Sequence, residues 1–278
     1  VSVSEIAELE RLGTLGWSAL HSERVGGFLA GASGAFTRRA NCVATSFGKR
    51  ASTDLTPDIE AVEAFYRGRD LPAVFKLTPA SAPGLDESLA ARGYTTDGET
   101  LVMTLDLEDG ALASSGASRG DAVESEIEVI AGRVPERWFE ASNTLSRVKG
   151  SNREDYAALL EHCLSTQHTV FFGQVEHEGT ITSVAMASVI EETVSIAQVA
   201  TDPDCRGQGL AASVLRALLF AACEHDAAQA LLSVEAPNAS ARRLYEKLGF
   251  VERYRYWYRE APPTLDDSSE AADSAEPV

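Results

Sequence analysis

The chain has 278 residues, 44% of them apolar, which suffices for two domains of ordinary size with cores of their own. Its formal charge of −18 repels a phosphate backbone over most of the surface, so nucleic acid is disfavoured as a partner. Cys42, Cys163, Cys205 and Cys223 form no CxxC pair and have no histidines at ligand spacing, and no apolar run approaches the roughly 18 residues of a membrane span, so no structural metal, disulfide framework or membrane partner is expected and the chain reads as cytoplasmic.

Taken in order, the first 108 residues read as strand (40–47), helix (58–69), strand (73–78), helix with a glycine stop (84–94) and strand (100–107). Residues 109–125, "DGALASSGASRGDAVES", are small and aperiodic, and read as a flexible linker. The second half, 126–260, opens with a strand ending at 130, then helices over 135–145 and 152–164. Three strand candidates follow, 169–177, 180–190 and 193–201, parted by short polar turns as in an antiparallel meander. A glycine turn then leads into a helix on Leu210, Val214, Ala217, Leu218 and Ala221. A strand (230–236), a helix (240–248) stopped by Gly249 and a strand (252–260) complete the half. The acidic segment 261–278 cannot offset the entropy of ordering and reads as a disordered tail. Strand, helix, strand, helix ending in x-Gly-aromatic, strand occurs twice, which implies a diverged internal duplication.

The duplication is unequal at one loop. "CRGQGLAASVL" (205–215) places Arg206, Gly207 and Gly209 before a helix, where unpaired backbone N–H groups and the helix dipole favour an anion. An ordinary tight turn explains two glycines equally well. No Lys-Ser or Lys-Thr follows the second glycine and no G-x-G-x-x-G is present, so neither a nucleoside triphosphate nor NAD is implied.

The spacing Arg206-x-x-Gly209-x-Ala211 resembles the acetyl-coenzyme A pyrophosphate loop of the GCN5-related N-acetyltransferases (GNAT). Downstream, "NASARRLYEKLGF" carries Asn238, Ala241, Leu244, Tyr245, Leu248 and Gly249 in the pattern of the same family. The resemblance covers 126–260, and the first half is similar to the degenerate first copy of actinobacterial two-half members. It implies an α/β mixed-sheet fold, two GNAT copies in tandem, with acetyl-CoA bound by the second copy only and no metal.

The resemblance also implies site roles. Backbone groups of Val199, Ala200 and Thr201 would hold pantetheine and the thioester oxygen, and amides of Arg206, Gly207, Gln208, Gly209, Leu210, Ala211 and Ala212 the pyrophosphate. Tyr245 would protonate the departing thiolate, the alternative being packing beside Leu244 and Leu248. Asn238 would contact the cosubstrate, cap the helix, or both. Glu235 is the best carboxylate for a general base, with a solvated edge residue and a water chain as alternatives. Arg38 and Arg39 could hold an acceptor carboxylate if the halves share a cleft; otherwise they are solvated. The expected acceptor is the primary amine of a small molecule, with an amino acid such as glutamate as first choice. Two rivals stand beside this reading: a tandem acetyltransferase of low-molecular-weight thiol biosynthesis, and a non-catalytic acetyl-CoA sensor.

Overall fold

The computed structural model describes residues 1–34, 37–46, 54–107, 126–146, 153–166 and 168–262. The segment read as a linker, and the tail from 263 onward, lie outside them. At the N-terminus the Ser2 hydroxyl accepts from the Glu5 N–H at 3.2 Å, while a Glu5 carboxylate oxygen accepts from the Ser2 N–H at 2.7 Å. This reciprocal cap starts helix α1 (Val3–Gly16), which the pattern reading above omits.

The rest of the first half runs β1 (His21–Val25), β2 (Phe28–Ala32), β3 (Val43–Ala44), α2 (Thr56–Arg67), β4 (Val74–Leu77), α3 (Leu85–Ala91) and β5 (Thr95–Asp106). The strand expected over 40–47 shrinks to two residues. Arg38–Ala40 form a 3-10 turn, and the Asn41 side chain accepts from the Ser33 N–H at 2.7 Å and donates to the Thr37 carbonyl at 2.9 Å, holding that backbone out of the sheet. The second half runs β6 (Glu126–Ala131), α4 (Glu136–Leu145), α5 (Arg153–Ser165), β7 (Thr169–His177), β8 (Thr180–Ile190), β9 (Thr193–Thr201), α6 (Leu210–Cys223), β10 (Gln229–Glu235), α7 (Ala239–Lys247) and β11 (Val251–Glu260). The expected meander forms as antiparallel β7–β8–β9.

All eleven strands join one sheet in the order β1-β2-β3-β4-β11-β5-β10-β9-β8-β7-β6. The duplication read from the sequence is visible in it, because β3–β4 and β9–β10 are the parallel pairs of the two copies. Each copy's last strand is exchanged: β11 lies antiparallel to β4, and β5 lies antiparallel to β10. The boundary between 108 and 126 therefore divides the chain but not the sheet.

Side-chain alternation explains why the exchange holds. From β5 and the residue that follows it, Leu101, Met103, Leu105 and Leu107 enter the core under α6 and α7 beside Leu218 and Leu248. Val102 points the other way, into a cluster with Ile6, Leu9 and Leu12 of α1 and Tyr254, Tyr256 and Tyr258 of β11. In that cluster Glu10 is buried and takes an ion pair from Lys76 Nζ at 2.7 Å and a hydrogen bond from the Tyr254 hydroxyl at 2.6 Å. Burial is the largest single influence on Lys76 and opposes its charge, but Glu10 together with Tyr256 and Cys42 leaves the ammonium's pKa raised. The sheet is thus covered by α1, α4 and α5 on one face, and by α2, α3, α6 and α7 on the other.

Candidate active site

β9 and β10 pair only over Thr193–Ser195 and Gln229–Leu231, and beyond those residues they diverge. The register of β9 against β8 slips between Ala200 and Ala197, with Gln198 at a φ of +52°. This bulge bends β9 away and leaves its edge without a strand partner on the β10 side. Its N–H and C=O groups are left to a cleft of about 1030 Å³.

The cleft collects most of the residues singled out above. Val199, Ala200 and Thr201 line one wall; Arg206, Gly207, Gly209, Leu210, Ala211 and Ala212 form its rim; Glu235, Asn238 and Tyr245 face it from β10 and α7; and Arg39 reaches it from the first half. Two candidates fall outside. Gln208 is exposed and does not line the cleft. Arg38 turns away, with Nη2 2.6 Å from Asp97 and its guanidinium 5.2 Å from the Tyr258 ring centroid, so its charge is engaged within the fold.

The loop is shaped for an anion. Asp202 accepts from the Asp204 N–H at 2.9 Å and starts a 3-10 turn, which uses the Arg206 N–H as a donor to Pro203 at 3.5 Å. The Arg206 N–H thus makes only a long contact within the loop, and the residue stays on the rim of the cleft. Gly207 and Gly209 adopt φ of +79° and +82°, and a Cβ at either would meet nothing within 4 Å. The backbone conformation, not crowding, requires glycine there, and the space above stays open. Gly209 is the N-cap of α6 without a side-chain cap, so the N–H groups of Leu210, Ala211 and Ala212 are free of one.

Alternation along β10 divides the cleft chemically. Leu232 and Val234 enter the core under α6 and α7, whereas Ser233 and Glu235 share the face of Leu231, toward α1. Tyr245 lies on the α6–α7 side, 6% exposed and edge-on to Phe250 at 6.0 Å. Burial pushes its phenol up to about 12, so it is fully protonated at neutral pH. The Asn238 side-chain oxygen accepts from the Ala241 N–H at 3.1 Å and from the Ser240 hydroxyl at 3.0 Å, which caps α7 and leaves the amide nitrogen available.

Pattern reading missed several lining residues: Trp17 and Thr37 from the first half, Ser233, and the cations Arg216, Arg243 and Lys247. Only the last three had a signal, since Arg216 stands seven residues after Gly209 on one helical face, and Arg243 and Lys247 are four apart. With Arg39 and Arg206 they make five cationic side chains against one carboxylate, Glu235, among the described lining residues.

The Acetyltransferase (GNAT) family matches residues 136–250. The uncharacterized N-acetyltransferase YobR of Bacillus subtilis is 28% identical over 257 residues, 92% of this chain and 99% of that protein. The ribosomal protein bS18-alanine N-acetyltransferase of Escherichia coli K12 is 32% identical over 108 residues, 38% of this chain and 70% of that one. Among solved structures, a tandem GNAT protein from the clavulanic acid biosynthesis pathway superposes with a TM-score of 0.64 at 16% identity, covering 92% of this chain and 88% of that one. The chain belongs to the GNAT acetyltransferase family and has its tandem fold; acetyl transfer is the chemistry of that family. No helix among the described residues is long and apolar enough to cross a membrane.

Proposed function

We propose that the protein transfers an acetyl group from acetyl-CoA to the primary amine of a small molecule, by direct attack within a ternary complex. The observation that carries this is the charge of the cleft: five cations against one carboxylate among the described lining residues, on a chain of net charge −18. Such an inversion selects a polyanion, and coenzyme A brings a pyrophosphate and a further phosphate. The α6 amides and Gly207 would take the pyrophosphate, with Arg206 and Arg216 adjacent, while Arg243 and Lys247 supply charge from α7. The unpaired edge of β9 at Val199, Ala200 and Thr201 would hold pantetheine as a substitute strand.

In the reaction the neutral amine attacks the thioester carbon, forming the C–N bond as the C–S bond breaks. A β9 N–H donates to the developing oxyanion, the amine's proton passes to Glu235 directly or through water, and Tyr245 donates toward the leaving sulfur. Glu235 and Tyr245 approach from opposite faces of the sheet, which matches an acceptor entering on the α1 side and a cosubstrate on the α6–α7 side. Calorimetric titration with acetyl-CoA, together with acceptor-dependent thiol release, tests this. One site per chain and amine-dependent release are expected; no acetyl-CoA binding would overturn it, and tight binding with silence across amines would favour a sensor.

A further inference from the structure

Resting on that reading, we propose that the acceptor is an amine carrying a carboxylate, and that Arg39 of the first half binds that carboxylate. Arg39 lines the cleft and also a small inner cavity of about 40 Å³, the two meeting at Trp17, Arg39, Leu232 and Ser233. Its Nη2 is buried and has no hydrogen-bond partner among the described residues. Buried donors are almost always satisfied, so an orphaned guanidinium nitrogen in a cleft wall marks a position where a ligand supplies the acceptor.

Among the described residues, neither carboxylate of the two cavities pairs with Arg39. Glu10, the carboxylate of the inner cavity, is taken by Lys76 and Tyr254. Glu235 makes no ion pair with Arg39 among the described residues. Neighbouring Arg38 shows the contrast, since Asp97 and Glu260 stand 2.6 and 3.9 Å from its Nη2.

The guanidinium is also held in advance. Thr37 Oγ1 accepts from the Trp17 indole N–H at 3.0 Å and from the Ala40 N–H at 3.3 Å, Asn41 fastens the same turn, and the guanidinium carbon lies 6.0 Å from the Trp17 ring centroid. A preset planar fork is suited to a carboxylate. A phosphate asks for more donors, and the other four cations of the cleft stand on the glycine loop, α6 and α7. Arg39 is on the face of Ser233 and Glu235, where the acceptor amine must lie. The inner cavity behind it has room for no more than a few waters, so the acceptor ends close to the guanidinium.

The test is acetylation of glycine, β-alanine, 4-aminobutyrate and the twenty common amino acids, each against its amide, with aminomethylphosphonate beside glycine. Wild type and the variants Arg39→Met and Arg39→Lys are compared, with acetyl-CoA affinity and melting temperature measured on each. At least one acid should exceed its amide in kcat/KM by about 10–100-fold, the worth of one charge-assisted contact. Arg39→Met should erase that preference by raising KM for the acid far more than for the amide, and Arg39→Lys should fall between. Equal use of acid and amide, an equal loss on both in Arg39→Met, preference for the phosphonate, or silence across the panel would each overturn the assignment. Turnover of carboxylate-free amines alone would overturn it while leaving the transferase reading intact, whereas failure to bind acetyl-CoA would remove both.

Discussion

Tyr245→Phe separates proton donation from packing at the leaving sulfur. The ring is almost wholly buried against Phe250, and the phenylalanine keeps that contact while deleting the hydroxyl. Desolvation places the phenol at about 12, whereas an unperturbed thiol titrates near 8.5, so complete transfer to a solvated thiolate is uphill by about 3.5 pKa units, roughly 5 kcal/mol. In the proposed reaction the phenol would therefore act mainly as a hydrogen-bond donor to sulfur as charge develops, completing the transfer as the thiolate is itself desolvated. That places the loss of kcat at the lower end of general-acid effects, about 10²-fold, with acetyl-CoA affinity within twofold. The sign of the pH dependence follows: the donor form is lost only as pH rises through the folded pKa, so wild type should show no alkaline limb from Tyr245 between pH 7 and 10. Single-turnover acetylation across that range, monitored by thiol release, reads both quantities. A phenylalanine variant with wild-type single-turnover rates would return Tyr245 to a packing role.

Gly209→Val puts a β-branched residue at a φ of +82° and a methyl-bearing carbon over the α6 amides; acetyl-CoA affinity should fall at least about tenfold while calorimetry still shows a cooperative melt, and unchanged affinity would make the turn an ordinary one. A fragment of residues 126–278 lacks Leu101, Met103, Leu105 and Leu107, four buried side chains worth roughly 1.5–3 kcal/mol each, which is comparable to a whole domain's stability. Circular dichroism should find it unfolded or aggregated, and a folded fragment that binds acetyl-CoA would contradict the role given to β5. Glu10→Gln leaves the Lys76 ammonium buried without its counter-charge and should cost about 3–5 kcal/mol in denaturant unfolding. Without Glu10, burial depresses the folded pKa of Lys76 below its unfolded value near 10.4, so the unfolded state binds more protons and the variant should regain stability as pH rises toward that value. A flat pH profile would show that burial does not depress Lys76 when Glu10 is absent.

The second half was the more legible because its signals are local. The strands 169–177, 180–190 and 193–201 alternate and are parted by two-residue turns, and their bounds agree with β7, β8 and β9. Gly249, read as the stop of α7, has a φ of +97°. What pairing pattern alone could not convey is partnership: the alternation of 252–260 fits a strand in any sheet, and nothing local tells β11 to lie beside β4. The capping box at Ser2 and Glu5 was there to be read, but α1 is short of charge contrast and its apolar face is matched by residues some 200 positions away. Of the site, the glycine loop and Tyr245 are motif residues, whereas Trp17, Thr37 and the separation of Arg38 from Arg39 depend on how one 3-10 turn faces two different neighbours.

The exchange of last strands also sets a schedule for biogenesis. β5 is complete at Asp106, yet both of its native neighbours, β10 and β11, come from the end of the chain, with β11 starting at Val251. At the usual 5–20 residues per second of synthesis, the wait for those roughly 145 residues is about 7–30 s, during which β4 and β5 each present an unsatisfied edge on the nascent chain. Pairing β4 with β5 directly is the nearest wrong arrangement, and it must be undone before β11 can enter between them. Ribosome-bound intermediates of this chain should therefore be natural clients of chaperones that shield strand edges, and the native sheet closes only once β11 has left the ribosome.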